Sequence, residues 1–265
     1  HFEVTRGEDD EDGRATVGTI ALAGVGPETD RQIDSTEAQS DRLQASADGE
    51  GLDIIYTRDE RTYLWHDGPG KTEYGPAEDF CLPVYGTDGD HWAAIGEKEG
   101  RIVLYVDGEA DPTDVFADQA FTLYECLDQG REVVFSIDHG ERETLWLWDR
   151  GETRQLVDCP GHIQEVAAAQ DGSRVYLTCW DEAAGQNQLW DGTGWQRFES
   201  YMELRCTPDG RHWIALSDEA LLIDGEATDI AAAYYEGDLY VVDDHELRLI
   251  TVRKGNHYLL RVGLP

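Results

Sequence analysis

Lysine is nearly missing from this chain. Only Lys71, Lys98 and Lys254 occur in 265 residues, and the 21 basic side chains face 56 acidic ones, a formal net charge of −35. Phosphate backbones and anionic lipid surfaces are gripped by clusters of Lys and Arg. No such cluster is present, so nucleic acid is not an expected partner. No apolar run approaches the roughly 20 residues of a membrane-spanning helix, so membrane insertion is not expected either. Cysteine is sparse and odd in number. Cys81, Cys126, Cys159, Cys179 and Cys206 contain no C-x-x-C. They read as core thiols in a reducing, cytoplasmic compartment.

The familiar chemical motifs are missing too. Gly70-Lys71-Thr72 has Trp65 where a phosphate loop needs its first glycine. Gly24-Val25-Gly26 has Thr29 where a dinucleotide fingerprint needs its third. There is no Gly-x-Ser-x-Gly and no His-Glu-x-x-His, and Glu8–Asp12 lacks calcium-loop spacing. No cofactor, metal or hydrolase nucleophile is therefore expected.

What is abundant is carboxylate. At −35 a compact state in dilute buffer repels itself. At molar salt the Debye length falls to about 3 Å and the repulsion is screened. Scarce lysine and plentiful Asp and Glu fit a salt-adapted, halophilic host, with an acidic protein of an ordinary organism as the alternative. Forty per cent hydrophobic residues and eight Trp supply a core.

Turn clusters are also abundant, and they recur. Asp48-Gly49, Asp88-Gly89, Asp128-Gln129-Gly130, Asp171-Gly172, Asp209-Gly210 and Lys254-Gly255 follow one another at intervals of 38 to 45 residues. Asp-Gly between β-rich runs is a hairpin signal, because Gly accepts the positive φ of tight turns. A second series closes apolar strands half a period later: His66-Asp67-Gly68, Asp107-Gly108, Asp149-Arg150-Gly151, Asp191-Gly192 and Asp224-Gly225. Each unit then reads as strand a, turn, strand b, loop, strand c, turn, strand d. A repeat of about 40–45 residues with this content is the pattern of a β-propeller blade.

The expected fold is all-β, a six-bladed propeller, with seven blades as the alternative. The last blade is expected to combine C-terminal strands a and b with N-terminal strands c and d, around Thr19–Gly24 and Glu28–Ile33. Such closure removes an exposed sheet edge. Leu239–Asp243 reads as strand d of the fifth unit. Residues 1–13, with six acidic side chains, read as a flexible tail, and residues 14–265 as one domain.

Thr207-Pro208-Asp209-Gly210 resembles the Pro-Asp-Gly turn of WD40-like and TolB-like propeller repeats. Gly161-His162 followed by Trp190-Asp191 resembles a WD40 repeat. The recurring Gly-x-His-aromatic segments at His91, His212 and His257 read as structural, as does His162. The resemblance implies that the a strands line a channel and that the d–a and b–c loops form a docking face. Channel candidates are Arg42, Gln44, Glu125, Gln164, Glu203, Arg205 and Arg248. Docking-face candidates are Arg58, Arg61, His139, Arg142, Trp180 and Tyr201, residue types that dominate interface energetics. The leading expectation is a non-catalytic scaffold, monomeric alone, that binds a protein partner. The second is a propeller enzyme of glycoside hydrolase or lactonase type using Glu125, Glu165 and Glu203. The third is a small-ligand or ion-binding module.

Overall fold

The structure is a computed structural model. It describes residues 2–9, 15–22, 31–32, 39–45, 52–58, 61–66, 72–86, 91–117, 120–128, 130–198, 203–216, 220–231, 239–253 and 256–265. The chain divides into two compact units, one of residues 1–84 and 92–116, the other of residues 85–91 and 117–265. Among the described residues every regular element is a β-strand.

In the first unit, β1 (Phe2–Asp9), β2 (Ala15–Leu22) and β3 (Arg31–Gln32) make an antiparallel sheet in that order. A four-stranded meander follows: β4 (Gln39–Ala45), β5 (Leu52–Arg58), β6 (Arg61–His66) and β7 (Thr72–Ala77). The third sheet holds the short strands β8 (Asp79–Phe80) and β9 (Val84–Tyr85), then β10 (Trp92–Lys98), β11 (Arg101–Val106) and β12 (Glu109–Phe116). Its apolar runs are buried on both faces, including Ala93, Ala94, Ile95, Ile102 and Leu104. Next to them His66 stacks on Trp92 with centroids 4.4 Å apart. Its Nδ1 lies 2.6 Å from Oδ1 of the fully buried Asp53. A buried carboxylate needs such a partner to offset its lost hydration.

The second unit continues with β13 (Phe121–Leu127), β14 (Glu132–Asp138), β15 (Glu143–Asp149) and β16 (Glu152–Cys159). Next come β17 (His162–Ala168), β18 (Val175–Asp181), β19 (Gln186–Trp190) and β20 (Trp195–Phe198). Then follow β21 (Glu203–Cys206), β22 (Trp213–Leu216), β23 (Ala220–Ile223) and β24 (Glu226–Ala231). Each set of four is an antiparallel meander in chain order. The last sheet has β25 (Leu239–Val241), β26 (Glu246–Arg253) and β27 (Asn256–Gly263). First strands neighbour one another, β13 beside β17, β17 beside β21 and β21 beside β25. Successive meanders stacked through their faces are the architecture of a β-propeller.

Each interface between sheets in this unit has its own core. Leu145, Leu147 and Cys159 meet Val166, Val175, Leu177 and Cys179. Ala167, Tyr176 and Leu189 meet Leu204, Trp213 and Ala215. Ile214, Leu216 and Leu221 meet Leu239, Leu247 and Leu249. The five cysteines are free, and Cys126, Cys159 and Cys179 are buried.

The two turn series differ in chemistry. Asp107-Gly108 (φ +48°, +88°) and Asp224-Gly225 (φ +52°, +86°) have both central residues left-handed, as type I′ hairpins require. In the other series Gly172 (+67°) and Gly210 (+65°) have positive φ while the aspartate before each does not. There the aspartate acts through its side chain: Asp171 and Asp209 each accept an N–H two residues on, at 3.0 Å. His212 is structural, its Nδ1 2.6 Å from Asp224 Oδ2.

Two expectations are revised. Phe2–Asp9 is a strand rather than a tail, because Phe2 and Val4 alternate with polar residues and pair with Leu22 and Ile20. Leu239–Val241 is the first strand of the last sheet, not the fourth of the sheet before, with Leu239 opposite Leu249. Its hairpin has no glycine; the Asp243 carboxylate accepts the His245 and Glu246 N–H groups instead. Among the described residues, β1–β3 and β25–β27 are each a three-stranded sheet at the two ends of the chain.

Candidate functional site

First strands of three consecutive sheets in the second unit bring charged side chains together. Glu125 stands on β13, Glu165 on β17, and Glu203 and Arg205 on β21. β13 and β17 each carry a register shift just before the glutamate, between Leu123 and Glu125 and between Ile163 and Glu165. Such a bulge adds one residue and re-aims the side chains after it. β4 repeats the feature, with its shift between Ser40 and Arg42.

Arg205 is the hub. Its Nη2 lies 2.5 Å from Glu203 Oε1 and its Nη1 3.6 Å from Glu165 Oε2. Nη1 also donates to the Leu204 carbonyl at 2.8 Å. The other oxygen of Glu203 accepts the Leu239 N–H at 3.2 Å, which ties the cluster to β25. Burial raises the Glu165 carboxyl above its ordinary range; Arg205 pulls it down and Glu203 pushes it up. Glu125 is raised furthest. Burial takes it to about 7, against the opposing field of Arg205. Burial, and then the Glu125 charge, pushes the neighbouring Cys206 thiol up to about 12, so it is not a thiolate nucleophile at neutral pH. A carboxyl that titrates near neutrality beside carboxylates held by an arginine can give or take a proton.

The other channel candidates fall elsewhere. Gln164 is the extra residue of the β17 bulge and is exposed. Arg248 lies on β26, a second strand, and its Nε is 2.9 Å from Glu246 Oε1. It was expected on a first strand; β25, hidden by its glycine-free turn, takes that place. Arg42 and Gln44 stand on β4 of the first unit, with side chains outside the described residues.

Among the docking candidates, His139 holds a hairpin. Its Nε2 lies 3.0 Å from Thr144 Oγ1, and its N–H donates to the Arg142 carbonyl at 2.9 Å. Arg142 is exposed. Trp180 is 38% exposed on β18, whose other residues are all buried. Gly161 passes directly beneath it: a Cβ at Gly161 would lie 1.9 Å from the Trp180 carbonyl oxygen. Arg58 and Arg61 face each other across a hairpin of the first unit. Arg61 is exposed; the side chain of Arg58 and all of Tyr201 lie outside the described residues.

Sequence reasoning passed over Glu143. It opens β15, and its Oε1 lies 3.2 Å from His162 Nδ1. The signal available was a charged residue at the start of the apolar run Leu145–Trp148. Nothing in that spacing pointed to His162, nineteen positions on in another sheet.

No protein-family model and no curated protein sequence matches the chain. Among solved structures it is similar to the β-propeller domain of the Trilobed protease from Pyrococcus furiosus, at 13% identity over 97% of this chain and 88% of that one, TM-score 0.49. It is similar to a putative TolB from Agrobacterium tumefaciens, at 16% identity over 88% and 85% of the two chains, TM-score 0.42. It also covers half of the Pyrococcus horikoshii acylaminoacyl peptidase chain, 50%, at 14% identity and TM-score 0.45.

Proposed function

We propose that this chain is a non-catalytic β-propeller that binds a protein partner through the loop side of its fourth and fifth sheets, in the cytoplasm of a salt-adapted host. The observation that carries this reading is Trp180, a large aromatic exposed on an otherwise buried strand. Binding energy concentrates in such Trp, Tyr and Arg anchors, and Arg142 is exposed on the neighbouring sheet. The purified 265-residue chain serves as bait in native-host lysate at molar KCl, with quantitative mass spectrometry as readout. The expected result is a protein retained by wild type and by Glu125→Gln but lost with Trp180→Ala. Equal retention by Trp180→Ala would remove this surface from the reading.

One observation favours a second reading. The Glu125 carboxyl at about 7 suits a general acid, with Glu165 and Glu203 as candidate partners. Hydrolysis of glycosides or lactones in molar salt, abolished by Glu125→Gln and untouched by Trp180→Ala, would replace the scaffold with an enzyme.

A further inference from the structure

Three donor side chains from three strands of the second unit converge at the loop side of the fourth and fifth sheets. Asp138 ends β14, Glu143 opens β15 and His162 opens β17. One donor atom from each lies within 4.8 Å of the others. Glu143 Oε1 and His162 Nδ1 are 3.2 Å apart. Two ligands of one ion bound at about 2.1 Å stand roughly 3.0 to 3.4 Å apart, so this pair already has ligand spacing. The Asp138 carboxylate lies within 4.8 Å of both and completes the set of three donors.

The surroundings prepare these donors. Ser136 Oγ donates to Glu143 Oε2 at 3.3 Å, so the carboxylate is held with Oε1 facing His162 Nδ1. The Gly140 N–H donates to Asp138 Oδ1 at 2.6 Å, which leaves Oδ2. The Glu143 N–H donates to the Gly161 carbonyl at 3.0 Å, locking its backbone to the residue before His162. On the far side of the imidazole, Glu182 Oε1 stands 3.9 Å from His162 Nε2. A carboxylate behind the second ring nitrogen is the usual orienting group of a metal-bound histidine. Among the described residues neither Asp138 nor Glu143 has an arginine or lysine partner, although the Glu143 side chain is only 13% exposed.

We propose that Asp138, Glu143 and His162 bind a divalent first-row transition metal, zinc or manganese by donor type, with Glu182 positioning the imidazole. One nitrogen and two carboxylate oxygens favour these ions over magnesium or calcium, which prefer all-oxygen shells. The site goes beyond partner docking and stands independently of it.

The test is isothermal titration of the full chain with zinc chloride in molar KCl, which screens diffuse attraction to the acidic surface. One equivalent should bind, and it should resist competition by excess magnesium. His162→Gln and Glu143→Gln should weaken binding at least tenfold. Glu182→Gln should weaken it by about tenfold while leaving the melting point of the metal-free protein unchanged. As a check needing no variant, cobalt-loaded wild-type protein should show a strongly shifted, exchangeable imidazole N–H resonance. Equal binding by wild type and His162→Gln, displacement by equimolar magnesium, or the absence of a shifted imidazole resonance would overturn the site.

Discussion

Glu125 shows how one position governs a pH response. Its carboxyl is raised by burial from an ordinary 4.5 to about 7, so the folded state prefers the neutral acid. The stability this lends is complete below the unfolded value and is lost as pH rises through the folded one. A gap of that size corresponds to roughly 3 kcal/mol. Glu125→Gln should match wild type near pH 4 and exceed it by up to that amount near pH 8. Chemical denaturation at both pH values measures the difference, and an equal difference at the two would refute the assignment. Asp191 behaves in the opposite sense. Burial would raise it, but Thr193, Gln196 and the Gly194 N–H outweigh that and hold it at about 2. Its contribution is present at neutral pH and disappears only in strong acid. Glu125, Glu203 and Arg205 could be picked from the sequence, because a charged residue in an a-type strand stands out. Their meeting could not, because two β-bulges decide where the glutamates of β13 and β17 point.

The hairpins were the most legible elements. Asp-Gly pairs mark them because a type I′ turn needs two left-handed residues, and few other pairs accept that cheaply. The same signal misled where it was absent. The β25–β26 turn is built from Asp243 side-chain hydrogen bonds, so a three-residue strand was assigned to the wrong sheet and Arg248 to the wrong strand. Between the elements, apolar side chains carry the stability. Leu147, 1% exposed, sits in the core between the fourth and fifth sheets. Leu147→Ala should cost about 2–5 kcal/mol through lost contacts and an unfilled cavity. A urea melt showing less than about 1 kcal/mol would mean that the two sheets do not pack as described.

Net charge acts on the molecule as a whole. With −35 distributed over 265 residues, mutual repulsion opposes every interface between sheets. The thermal midpoint should therefore rise steadily with KCl into the molar range as the Debye length shrinks. Calorimetry at increasing KCl checks this, and a flat or falling midpoint would remove the salt-adapted reading. Repeat period, strand content, the hairpin series and the charge were all readable along the chain, because each depends on neighbours a few residues apart. Sheet membership at the two ends, the Arg205 cluster and the Asp138–Glu143–His162 constellation depend on which strands pair and which sheets stack. Register shifts, the pairing of β25 with β26 and the stacking of one sheet on the next bring those residues together, and none of these leaves a local mark in the sequence.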